Sequence, residues 1–139
     1  MLNITDAASF DRALGAPIAP EIRRLLVQRR DQLLTDTGGE YDIGELAQFV
    51  VVEPPDTVAE IEAAAGYPVV TDPAFEWVQD HGGTFEAVTI LSDSGWGVVL
   101  LVPDDDRIAA ELIGLLRSLA VPPPAAWQDS DQERAPATP

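Results

Sequence analysis

A chain of 139 residues with 24 acids, eight cations and one histidine carries a formal charge of −16. A surface of that sign repels phosphate, so neither nucleic acid nor an anionic membrane is an expected partner, whereas a basic protein is. All eight cations are arginine and cysteine is absent, which removes lysine Schiff-base and P-loop chemistry, thiolate catalysis, disulfides and cysteine metal sites.

The apolar fraction of 46% is that of a folded chain, and the length suits one domain with a real core. That domain is expected over residues 1–124, followed by a flexible, acidic, proline-rich tail over 125–139. The first residues, MLNITDAASFDRALGAP, lack the basic-then-apolar order of a signal peptide. Together with the absence of cysteine, this makes the cytoplasm the expected location. An alanine- and proline-rich chain with arginine as its only cation also suits a GC-rich bacterial genome.

In chain order, Thr5 or Asp6 caps a predicted helix over 6–14 that stops at Gly15 and Pro17. A second helix is predicted over 20–34, with Ile22, Leu25, Leu26 and Leu33 at helical spacing and TDTGG closing it. Arg23, Arg24, Arg29 and Arg30 all lie on it, and Arg29 falls among the leucines. An arginine on an apolar stripe snorkels or pairs with a carboxylate; its functional reading is an anchor for an anionic ligand or acidic partner.

The β-branched run at 46–53 reads as a strand ending at Pro54-Pro55. Thr57 and Glu60 have capping-box spacing for a helix over 57–65 that ends at Gly66. Residues 67–71 read as a short edge strand because of Pro68. Asp72-Pro73 then reads as the start of a helix over 73–81. In that frame Gly82-Gly83 is the helix stop, and His81 stacks on Trp77 one turn earlier.

The strongest signal is a hairpin of strands 85–91 and 96–102 around Ser92-Asp93-Ser94-Gly95. A turn at Ser94-Gly95 sets Val88 opposite Leu101, Ile90 opposite Val99, and Glu86 nearly opposite Pro103. Phe85, Ala87, Leu91, Trp96, Val98, Leu100 and Val102 share the other face, so both faces are apolar. An antiparallel sheet with one wet face would alternate. Either helices cover both faces or a second copy of the chain covers one, as a homodimer. A last helix is predicted over 105–119, ended by Pro122-Pro123-Pro124. The expected fold is α+β: three or four mainly antiparallel strands packed by helices.

The candidate sites are few. His81, Glu86, Arg29 and Trp77 are the candidate ligand-binding residues. Asp104, Asp105 and Asp106 reach the same sheet end and are candidate metal ligands, although three consecutive acids before a helix read more simply as N-cap and dipole-matching residues. Trp127, alone in a polar tail, is the candidate partner contact. No catalytic residue and no cofactor are expected: the G-x-S-x-G elbow that His81-Gly82-Gly83 would need in an esterase is missing. The favoured function is a small acidic accessory or regulatory protein that works by protein–protein interaction. The alternatives are a metal-assisted hydrolase or small-ligand binder at the His81 end, and, less favoured, a DNA-mimic inhibitor of a DNA-binding protein.

Overall fold

The computed structural model describes residues 1–54, 56–72, 75–92, 96–105, 108 and 110–121. Its elements are β1 (Leu2–Ile4), α1 (Ala7–Leu14), α2 (Pro20–Asp36), α3 (Ile43–Leu46), β2 (Ala47–Val51), α4 (Val58–Ala65), β3 (Phe75–Asp80), β4 (Thr84–Ile90), β5 (Gly97–Pro103) and α5 (Ala110–Leu119). Five strands form one mixed sheet in the order β1-β2-β5-β4-β3. β3, β4 and β5 form an antiparallel meander. β5 returns parallel to β2, and β1 closes the far edge antiparallel to β2. The sheet is therefore larger and more mixed than the sequence predicts.

The helices start where local chemistry says they should. Asp6 accepts the Ser9 amide and Ser9 reciprocates, a capping box for α1. Pro20 opens α2, and Thr57 caps α4 through the Glu60 amide. Gly66, at φ 69°, ends α4 in the left-handed conformation that glycine adopts without strain.

Helices cover both faces of the sheet. On one face Phe10 and Ala13 of α1, Ile22, Leu25, Leu26 and Leu33 of α2, and Ile43 of α3 pack on Phe49, Val88, Val99 and Leu101. On the other, Ile61 of α4 and Leu112, Ile113 and Leu116 of α5 pack on Val50, Ala87, Val98, Leu100 and Val102. The doubly apolar strands thus find helical cover on both faces within the chain, the first of the two arrangements that the pattern allowed. No helix among the described residues is long and apolar enough to cross a membrane.

Three sequence expectations change. Of the residues expected as a helix over 73–81, Phe75–Asp80 form strand β3, paired antiparallel with β4; 73 and 74 lie outside the described residues. Gly82 and Gly83 are a two-residue hairpin loop with positive φ, closed by His81 N–H donating to the Thr84 carbonyl at 2.9 Å. Glycine pairs serve both helix stops and tight hairpins, so the local signal fits either. β4, apolar on both faces, needed a neighbour at its free edge, and Phe75, Trp77 and Val78 suit a strand.

Residues 67–71 are not a strand. Val69 and Val70 are buried, and the amides of Val70 and Thr71 donate to the Glu62 carboxylate instead of a neighbouring strand. The β4–β5 register is also shifted by two: Val88 faces Val99, Ile90 faces Gly97 and Glu86 faces Leu101, while Thr84 faces Pro103. The loop is longer, with Leu91 N–H donating to the Trp96 carbonyl; residues 93–95, the expected turn, lie outside the described residues. An even shift leaves every side chain on its original face, so the predicted two-sided pattern survives the wrong register.

Candidate functional site

The apolar stripe of α2 is interrupted once. Ile22, Leu25, Leu26, Arg29 and Leu33 are its buried residues, at spacings that put all five on one side of the helix. Beneath Arg29, β4 presents Glu86, which shares the sheet face of Val88 and is 1% exposed. Arg29 Nε donates to Glu86 Oε2 at 2.8 Å and Nη2 donates to Oε1 at 2.9 Å. This is the two-pronged geometry that suits guanidinium and carboxylate. Nη1 donates to Gln32 Oε1, one turn further along α2.

His81 completes the cluster. The β3–β4 hairpin turns its ring back toward β4, and Nε2 lies 3.1 Å from Glu86 Oε1. An ionised carboxylate only accepts, so the imidazole donates from Nε2. Trp77 lies below, with the Arg29 guanidinium carbon 6.0 Å from its ring centroid, a cation–π distance. Burial pushes the Glu86 carboxyl up. The hydrogen bonds from His81 and Arg29 and their positive charge outweigh it, so the carboxyl sits below its ordinary value.

Arg29, Trp77, His81 and Glu86 therefore meet in one place, as a hydrogen-bonded ionic cluster roofed by α2. His81 does not stack on Trp77, because residues four apart on a strand are separated by more than one helical turn; its ring is directed to Glu86 instead. Gln32 was missed, although its i+3 spacing from Arg29 was available. Chemically the cluster is closed. Each Glu86 oxygen accepts from Arg29 and one also from His81, which leaves the carboxylate poorly placed to take a proton or bind an ion.

The acids at this sheet end are engaged elsewhere. Asp104 N–H donates to the Gly83 carbonyl at 2.8 Å, so the β5 end and the β3–β4 loop are adjacent. Its carboxylate pairs with Arg117 of α5. Asp105 takes part in local turns with Pro103 and Ile108. Among the described residues no three His, Cys, Asp or Glu side chains are gathered as a metal site. Asp106 and Trp127 lie outside the described residues.

A second feature lies across α2, on its outer side. A groove of about 370 Å³ runs between α1, α2 and the segment leading into α3. Phe10, Leu34 and Ile43 form its floor and Asp11, Asp31, Asp42 and Tyr41 its walls. Tyr41 is 51% exposed. Comparison with family models, with curated proteins and with solved structures finds no match, so function is argued from the chain's own residues.

Proposed function

We propose that this chain is an acidic protein-binding module and does not act by catalysis. The observation that carries the reading is the distribution of charge. No arginine or lysine stands between Arg30 and Arg107, a span that supplies α3, β2, α4, β3, β4 and β5. Glu40, Glu60, Asp72, Glu76 and Asp80 are exposed on it, in a molecule whose total charge is −16. Such a surface draws a cationic partner from a distance and keeps like-charged molecules away.

Two further points support binding over chemistry. The one histidine donates to a carboxylate already held by a buried arginine, so the usual acid–base residue is occupied by structure. Both oxygens of that histidine's partner already accept hydrogen bonds from Arg29.

The test is retention of proteins from a lysate of the source cells on the immobilised chain, eluted by rising salt. A basic protein held at low ionic strength and released as salt screens the attraction is the expected result. Retention indifferent to salt, or none, overturns the proposal.

One observation favours a second reading. His81, Glu86 and the Asp104 backbone do converge on one sheet end, so that end would be the ion or ligand site of an enzyme. That reading requires Mg²⁺, Mn²⁺, Ca²⁺ or Zn²⁺ to raise the melting temperature and His81→Ala to abolish the rise.

A further inference from the structure

The groove beside α2 has a composition that selects its occupant. Its apolar lining is Phe10, Ile43 and Leu34, of which Leu34 alone is partly exposed. Its one cation, Arg30, is already engaged, with its guanidinium 4.9 Å from the Phe10 ring centroid and Nε donating to Asp31 at 3.1 Å. That pairing leaves Asp11 and Asp42 to set the sign of the cavity.

Asp42 is the N-cap of α3: Oδ1 accepts the amides of Ala7 and Gly44, both at 3.1 Å, and the side chain closes a capping box with Glu45. Asp11 makes no side-chain hydrogen bond or ion pair among the described residues. Tyr41, half exposed, lines the same groove. An apolar floor, an aromatic wall and carboxylates at the rim complement a long side chain with an aliphatic stem and a cationic head.

We propose that this groove is the docking point for an arginine or lysine side chain on a basic segment of a partner protein. The proposal rests on the protein-binding reading above and assigns it a place. Size and shape favour a side chain over a free metabolite. Small-ligand pockets range over about 300–1,000 Å³ and enclose most of the ligand surface. This cavity is at the lower end, and Ala7, Asp11, Asp31, Tyr41 and Asp42 on its walls are all exposed.

The test is a titration of the ¹⁵N-labelled chain with acetyl-arginine amide, and with acetyl-citrulline amide as the uncharged analogue, followed by amide chemical shifts. Shifts should concentrate at Asp11, Leu34 and the 41–43 segment, for the arginine compound alone. Tyr41→Ala should weaken binding about two- to fivefold, and Asp11→Asn about twofold, with the melting temperature unchanged in both. Shifts spread evenly over the acidic surface, Glu60 included, overturn the groove, as does equal response to the citrulline compound or an undiminished affinity in Tyr41→Ala.

The two readings fail separately. A salt-sensitive partner retained equally by the Tyr41→Ala/Asp11→Asn chain overturns the groove and leaves the binding module standing. A groove that takes the arginine compound while the chain retains no protein overturns the protein as its source.

Discussion

Helix α2 separates two charged regions with opposite logic. On its inner side Arg29, Glu86 and His81 are buried and bonded to one another. On its outer side Asp11 and Asp42 border an open groove; Asp42 caps α3 and accepts the Ala7 amide, while Asp11 has no side-chain partner among the described residues. The inner cluster would pass most sequence-level tests for an active site: one histidine, one buried acid, one arginine, one tryptophan. Yet Arg29, Glu86 and His81 are bonded to one another, whereas Asp11, on α1, has no side-chain partner among the described residues.

The largest way to break the comparison is Glu86→Gln, which keeps the shape and leaves Arg29 buried without its counter-charge. Loss of one partner of a buried pair costs about 3–5 kcal/mol, to be read by urea denaturation; a cost below about 1 kcal/mol would mean that the pair is not shielded from water. The double variant Arg29→Met/Glu86→Leu should recover most of that loss, because apolar groups of similar volume replace a buried ion pair at little net cost.

Acid should act through the same carboxylate. Glu86 titrates lower in the folded chain than in the unfolded one, so as pH falls the unfolded chain takes up the proton first. The stability it contributes is complete above its ordinary value of 4.5 and is lost as pH drops through the lowered native value. Asp6, held down chiefly by the Ser9 amide, and Glu62, held down chiefly by the Thr71 amide, act in the same direction. Glu86→Gln should therefore show a shallower acid decline than the parent chain, and parallel declines would remove Glu86 as a contributor.

His81→Gln should have a smaller effect, about 1 kcal/mol, the value of one hydrogen bond to a group that Arg29 continues to hold. A loss as large as that of Glu86→Gln would make the histidine a principal support of the cluster. The smallest effect on stability belongs to the outer region: Asp11→Asn should leave the denaturation midpoint where it was, while reducing binding of the arginine probe. A shifted midpoint would show that the groove, like the cluster, is part of the structural framework.

Much of this was legible in the sequence. Capping residues placed α1 and α4, because a cap is a contact between near neighbours and depends on little else, and Pro20 placed the start of α2. The two-sided apolar pattern of β4 and β5 required cover on both faces, and helical spacing put Arg29 among leucines, where it needed a carboxylate. The identity of β3 was not legible, since a glycine pair after an aromatic segment suits a helix stop as well as a hairpin; pairing to β4 decided it. Strand β1, three residues long, carries too short a pattern to read. The hairpin register depended on a loop whose length the turn residues do not fix.

The sequence alone thus determined the starts of α1, α2 and α4, the apolar faces and the sign of the surface, which follow from local hydrogen bonding, periodicity and composition. Only the tertiary structure chose Glu86 as the partner of Arg29, 57 residues away, turned His81 inward to it, and set Tyr41 and Asp42 across from Asp11. Such contacts join segments distant in the chain, and their geometry exists only once the sheet has fixed which strand lies under which helix.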